Sequence, residues 1–172
     1  MWNLIAKLAA RPAVVRWLKR RALKTPYLHI MKDDDVYMER YWLFNPYQLS
    51  SEKKTWRRQW LPSARLHWIR MPDTDRAPHD HPWDARTIIL EGAYTERRLL
   101  GFSQIHDEYT EYYGRVTRGA GETATLKFGE YHSIETISPG GVWTLFITWK
   151  YQGTWGFLVD GKKVQYKKYL GL

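Results

Sequence analysis

A chain of 172 residues sets the expectation of one domain with a real core, and 10 Trp, 12 Tyr and 5 Phe supply bulky side chains to fill it. The absence of cysteine excludes disulfides, thiolate metal sites and cysteine nucleophiles together and is compatible with a reducing, cytoplasmic compartment; no apolar run is long enough for a membrane-spanning helix. Net charge is +9, but Lys7, Arg11, Arg16, Lys19, Arg20, Arg21 and Lys24 fall in residues 1–24 with no acid, which leaves only +2 for the rest and argues against nucleic acid as a partner of the whole chain.

Residues 2–23 read as helix. Trp2, Ile5, Leu8, Ala9, Val15, Leu18 and Ala22 recur at three- and four-residue steps, and Pro12 ends one turn or opens a second helix at its first position, where its missing N–H costs little. Residues 1–24 are therefore a basic amphipathic extension. It either docks on an anionic surface or partner, or packs Trp2 and Leu8 on the domain with its charges solvated. It lacks the apolar centre of a secretory signal, and shares its arginines and lack of acids with organelle transit peptides.

Residues 25–62 read as a connecting segment with a short helix or strand. His29 has a local capping or packing role. Asp33–Asp35 form an acidic cluster whose two readings are an exposed turn and a cation site. "LSSEKKTWRRQWLPS" is polar and basic, a short helix or loop with Trp56 and Trp60 on one face.

From residue 63 the pattern changes. "ARLHWIRM" alternates, with Ala64, Leu66 and Trp68 on one face and Arg65, His67 and Ile69 on the other. "RTIIL", "AYTERRLL", "EYTEYYGRVTR", "ETATLKF", "HSIETI", "VWTLFITWKY", "WGFLVDG" and "KKVQYKKYL" follow as short β-branched and aromatic runs. Asp160-Gly161 between the last two is a hairpin signal. Trp143, Leu145, Ile147 and Trp149 share a face. Seven or eight such strands predict an antiparallel sandwich or barrel over residues 63–172.

Within this region "PHDHPWD" (78–84) holds two histidines one residue apart. On a strand His79 and His81 point to one face and Asp80 to the other, which makes half a metal site. A serine or cysteine hydrolase is not supported, since cysteine and a G-x-S-x-G turn are both missing; a His-x-Asp plus distant His, as in 2-oxoglutarate oxygenases, is missing too. His106, beside Asp107, reads as a surface residue.

The same stretch carries a family resemblance. "DTDRAPHDHPWDARTIILEG" resembles the first cupin motif, G-x5-H-x-H-x3,4-E-x6-G: His79, His81 and Gly92 match, Asp73 replaces the opening glycine, and Ala85 stands where the glutamate ligand belongs. "GETATLKFGEYHSIET" resembles the second motif, G-x5-P-x-G-x2-H-x3-N: Gly121, Gly129 and His132 match, Lys127 replaces the proline and Thr136 the asparagine. The resemblance covers roughly residues 63–150 and extends, through "HPWD…EG", to bacterial and phage cupin-domain proteins.

The resemblance implies a mainly β protein: a single cupin-like antiparallel β-barrel (jelly roll) with an N-terminal α-helical extension. It implies a mononuclear divalent metal on His79, His81 and His132, with iron expected first and zinc, manganese or nickel as alternatives. Asp84 becomes a fourth ligand if a bulge turns it inward. Three neutral histidines leave open positions and an uncompensated charge, which suits a small polar or anionic ligand. By strand alternation Arg86 falls with Asp84 on the face opposite Ala85, where it is either an anion clamp near the site or a barrel-rim arginine paired with Glu91, Glu96 or another acid. Metal-free sugar epimerases of the cupin group use a histidine base and a tyrosine, which brings His67, His79, Tyr94 and Tyr131 into consideration; Tyr94 and Tyr131 are kept as substrate-binding residues. The resemblance thus implies a metal-dependent oxygenase or isomerase. The competing expectation is a non-catalytic cupin that binds a ligand or partner. A second copy of the chain is a further expected partner.

Overall fold

A computed structural model describes residues 1–32, 34–49, 54–56, 60–73, 76–105 and 108–172. Asp33, most of "LSSEKKTWRRQ" and the His106–Asp107 pair lie outside the described residues. Helices α1 (Trp2–Ala9) and α2 (Pro12–Ala22) precede thirteen strands: β1 (Pro26–Lys32), β2 (Asp35–Phe44), β3 (Tyr47–Leu49), β4 (Lys54–Trp56), β5 (Ser63–Ile69), β6 (Trp83–Glu91), β7 (Ala93–Ile105), β8 (Glu108–Gly119), β9 (Thr123–Leu126), β10 (His132–Ile137), β11 (Val142–Tyr151), β12 (Gly156–Val159) and β13 (Lys162–Gln165). A short helix, α3 (Tyr166–Leu170), follows.

Every paired strand is antiparallel, and the fold is mainly β and cupin-like. The larger sheet has the order β1-β2-β5-β11-β6-β9, and β10-β7-β8 forms a second sheet. Residues 25–62, read as a connector, thus donate β1 and β2 to the main sheet; Asp34 sits at the turn between them and Asp35 opens β2. His29 plays the local part expected of it: its Nδ1 accepts the Arg40 N–H at 3.1 Å, and its ring meets Tyr41 edge-on.

The short segment 78–80 continues the second sheet. His79 N–H donates to His132 O and His132 N–H to His79 O, at 2.9 and 3.0 Å; on its other side Asp80 N–H donates to Gly156 O and Leu158 N–H to Pro78 O. The order is therefore β8-β7-β10-(78–80)-β12-β13. The β12–β13 turn uses Asp160 (φ 49°) and Gly161 (φ 69°), the left-handed pair of a type I′ hairpin.

Strand alternation sorts the large sheet into two faces. Leu66, Ile88, Leu90, Tyr41 and Trp143 point outward and are covered by Ala6, Val15 and Ala22 of the helices; each fully buried aliphatic side chain here contributes roughly 1.5–3 kcal/mol. Pro12 opens α2 at its first position, as its lack of an N–H dictates. Arg65, His67, Ile69, Ala85, Thr87, Ile89, Thr144 and Phe146 point inward and face the second sheet, where Ile69, Ile89 and Val142 meet Tyr94 and Ile134. The polar face of "ARLHWIRM" is thus the inner one.

The run "KKVQYKKYL", read as one strand, splits after Gln165. Tyr166 stacks on Trp155 at 4.6 Å and Tyr169 on Phe157 at 3.9 Å, a spacing of three residues that a helical turn satisfies and a strand does not; Gly171 (φ 69°) ends the turn. Tertiary packing overrides the local β preference.

Candidate metal centre

The bridge between 78–80 and β10 sets the site. It holds His79 and His132 side by side, and the two-residue period adds His81 to the same face. One ring nitrogen from each of the three histidines lies within 4.8 Å of the others. His81 Nε2 and His132 Nε2 are 3.0 Å apart. Two nitrogens bound at right angles to one ion at about 2.1 Å would be separated by about 3.0 Å, so this pair already stands at ligand spacing. Asp80 points the opposite way, as alternation requires: it accepts the Gly156 N–H at 2.7 Å and pairs with Lys163 Nζ at 2.5 Å, which pins the histidine segment to β12 and β13.

Two carboxylates address the outer nitrogens of the rings. Glu96 of β7 is 1% exposed, and its Oε2 is 3.4 Å from His132 Nδ1; Arg98 and Arg118 hold its Oε1 at 3.0 and 2.8 Å. Burial alone would raise the Glu96 carboxyl, but the His132 ring beside it and the two guanidiniums prevail and bring it down to about 2. Asp73 Oδ2 lies 4.0 Å from His79 Nδ1 and accepts the Ile134 N–H at 3.1 Å. A carboxylate at Nδ1 favours the tautomer that leaves Nε2 free as a donor to a metal. Asp73, at the position of the motif's opening glycine, is fixed by the β10 backbone and stands near His79 without a hydrogen bond to it.

The inner wall beside His81 is cationic and aromatic. Arg65 is buried with its guanidinium 5.2–5.5 Å from the rings of Trp42, Trp83 and Phe146; His67 stacks on Phe146 at 4.8 Å, and its Nε2 has no hydrogen-bond partner among the described residues. Burial holds His81 and His67 well below the usual histidine range, reinforced for His81 by His132, His79, Arg65 and His67, and for His67 by Arg65 and Arg40. Burial brings His79 down to about 4, with the charge of His132 acting in the same direction and Asp73 against it. Neutral imidazoles are what metal ligation requires.

The other expected residues lie elsewhere. Asp84 is corrected first. Ala85, between Trp83 and Thr87 on the inner face, packs with Trp83, Leu126 and Phe146, so Asp84 faces out. Its carboxylate accepts the Phe128 N–H at 3.0 Å and pairs with Lys127 Nζ at 3.2 Å, and the first of these bonds above all lowers its pKa. The pairing of β6 with β11 does shift beside it, but the extra residue lies on β11, between Thr148 and Tyr151, so β6 keeps its alternation and Asp84 stays outside, capping the turn before β10 that Gly129 (φ 81°) makes possible. Arg86 shares the outer face, where it donates to Thr123 Oγ1 at 3.2 Å and lies 4.6 Å from the Trp2 ring, fastening α1 rather than clamping a ligand. Tyr94 is sealed among Ile69, Ile89, Ile134 and Val142. Burial raises its hydroxyl, as does the charge of Glu96. Tyr131 flanks His132 on the opposite face; partial burial and the charge of Asp80 push it up to about 12. Nothing in the strand "AYTERRLL" marks Glu96 as a partner of histidine; only the β7–β10 register, with Ile134 opposite Glu96 and His132 opposite Arg98, brings it beneath His132.

Glu96→Gln keeps the shape and removes the charge. Divalent-metal affinity should fall about 10- to 100-fold, the range for lost outer partners of ligating histidines, and stability should fall by about 3–5 kcal/mol because Arg98 and Arg118 lose their buried counter-charge. Calorimetric metal titration together with urea unfolding measures both. Unchanged metal affinity in the folded variant would show that Glu96 does not orient His132.

No family model matches the chain, and no curated protein matches it in sequence. Among solved structures it is similar to the iron(II) form of HppE, at 11% identity and a TM-score of 0.50 over 73% of this chain and 57% of that one. It is also similar to a variant of Bacillus subtilis oxalate decarboxylase OxdC, at 13% identity and a TM-score of 0.50 over 80% of this chain and 31% of that one. Both are cupin-fold proteins, and the likeness is one of fold. The chain thus spans less than two thirds of the length of either structure.

Proposed function

We propose that this is a cupin-type metalloprotein that holds one divalent ion on His79, His81 and His132 and presents it to a small anionic molecule. The observation that carries this reading is three imidazoles gathered within 4.8 Å, with no carboxylate in the cluster among the described residues and Arg65 and His67 beside them. Such an ion would act as a Lewis acid or redox centre with open positions for the ligand. Glu96 lies against the His132 ring and Asp73 near that of His79, and both supply negative charge on the side away from the ion. Trp83, Leu126 and Phe146 keep that part of the inner wall dry, which strengthens the pull of the Arg65 charge on an anion. Oxygenase or isomerase chemistry suits the arrangement, and iron is the first metal to load because HppE is described in its iron(II) form.

A second reading has its own support. A separation of 3.0 Å also suits a hydrogen bond between His81 and His132, as in a metal-free cupin that binds a ligand without reaction.

Loading with iron(II), manganese(II) and zinc(II), followed by azide titration of the loaded protein, separates the two. The metal reading expects one ion per chain and an azide complex visible in the iron(II)–nitrosyl or manganese spectrum. Ala85→Glu sharpens the test, because position 85 faces the interior. The new carboxylate should tighten metal at least about 10-fold and weaken azide by a similar factor, since it completes the donor set and cancels part of the charge. A folded wild type that takes up none of the three ions leaves the ligand-binding reading. A folded Ala85→Glu protein with both affinities unchanged would show that the metal lies away from the Ala85 wall.

A further inference from the structure

Helices α1 and α2 already bury an apolar stripe against the barrel: Ala6, Val15 and Ala22 pack on the outer face of the large sheet. Lys19 bonds Glu91 at 2.7 Å, and Arg86 lies against the Trp2 ring. A helix with its apolar face satisfied should be polar on the other. These are not. Leu4 (64% exposed), Ile5 and Leu8 stand out from α1, and Trp17 (59% exposed) stands out from α2. Around them Arg16, Arg20 and Arg21 are exposed, and residues 1–24 contain no acid.

We propose that this outer face is a docking platform for an anionic lipid surface. The occupant follows from the mixture. Phosphates alone, as on a nucleic acid, would be served by the arginines and give no use to Leu4, Ile5 and Leu8. A bilayer interface uses both: aliphatic side chains enter the acyl boundary, Trp17 sits at headgroup level, and long basic side chains reach back to lipid phosphates. The helices lie flat on the barrel, so the contact is with one leaflet. Among the described residues no helix is long and apolar enough to cross.

The test is co-sedimentation of the full chain with vesicles of phosphatidylcholine mixed with phosphatidylglycerol, and with phosphatidylcholine alone. Binding is expected to the mixed vesicles at low salt, to weaken as salt rises, and to be at least about 10-fold weaker on pure phosphatidylcholine. Each basic residue near such a surface strengthens binding roughly five-fold, so the combined Arg16→Gln, Arg20→Gln and Arg21→Gln variant should bind about 100-fold more weakly. The combined Leu4→Ser, Leu8→Ser and Trp17→Ser variant should lose at least about 10-fold. All six positions are exposed, and unchanged thermal unfolding would confirm intact barrels. Failure of the wild type to sediment with the mixed vesicles overturns the proposal. So does a serine variant that binds as tightly as wild type, because charge alone would then explain adsorption. Retention on a nucleic-acid duplex or a protein partner in place of vesicles would assign the face to that partner instead.

Discussion

His81→Ala and His132→Ala should each lower divalent-metal affinity by well over the roughly 100-fold that an outer partner is worth, leaving no stoichiometric ion after gel filtration. These two rings already stand at ligand spacing, 3.0 Å between their Nε2 atoms, so removing either takes away half of the pre-set pair. His79→Ala belongs with them, since its ring nitrogen completes the cluster. Asp84→Ala is the control: its carboxylate is engaged with Phe128 and Lys127 on the outer face, so it should leave the metal in place and cost only some firmness in the turn before β10. Metal analysis of the four purified variants checks this. Retention of a full equivalent by His132→Ala, or its loss from Asp84→Ala, would place the ion elsewhere.

The metal-free protein should unfold in mild acid, between pH 6.5 and 4. The sign follows from the direction of the shifts. His79 is held at about 4 when folded and returns to its ordinary value of 6.5 when unfolded, so in that window the unfolded chain binds more protons and stability falls with falling pH. Each unit is worth about 1.4 kcal/mol per histidine, so His79 alone costs up to about 3 kcal/mol by pH 4; its side chain is 20% exposed, which makes this an upper figure. His67 and His81 shift in the same direction and add to the loss. Against a typical total of about 5–15 kcal/mol this is decisive. Glu96 acts in a lower window. Its depressed carboxyl contributes stability above its ordinary value of 4.5, and that is lost as pH falls toward 2. Bound metal should raise the neutral-pH plateau, since it binds only neutral imidazoles, and so steepen the fall. Urea unfolding from pH 7.5 to 4, with and without zinc, gives the curve. A midpoint that stays flat between pH 7 and 5 in the metal-free protein would refute the buried neutral histidines. His67→Gln should flatten it in part and leave metal binding intact.

What could be read without a structure was what depends on local period. The step of two placed His79 and His81 on one face, and the alternation of "ARLHWIRM" divided β5 correctly into Leu66–Trp68 and Arg65–His67 faces. Pro12 marked the start of α2, and Asp160-Gly161 marked a hairpin. What stayed hidden depends on pairing between distant strands. Nothing near Glu96 announces that β7 will lie beside β10, so the carboxylate under His132 passed for part of a charged rim. An inward Asp84 needs a bulge in β6; the irregularity that exists there puts its extra residue on β11 instead, and alternation along β6 sends Asp84 and Arg86 out. Residues 25–62 read as a connector because the inner face of β2 carries Arg40 and Trp42 beside Met38, which blurs the apolar–polar alternation of a strand. The cupin resemblance placed His132, which period alone could not.

The pinning of the histidine segment has a consequence for how the protein is made. Asp80 is tied to Gly156 across 76 residues of sequence and to Lys163 across 83, and His79 lies between β10 and β12. During synthesis from the N-terminus the three histidines leave the ribosome well before the hairpin that fixes two of them. Until residues 156–165 arrive, 78–80 has one neighbour strand instead of two and Asp80 lacks its counter-charge. Closure of such long loops comes late and slowly in folding. The site is therefore finished by the last strands to join. An ion captured there would certify a chain that has completed its fold, and would not seed one that has yet to begin.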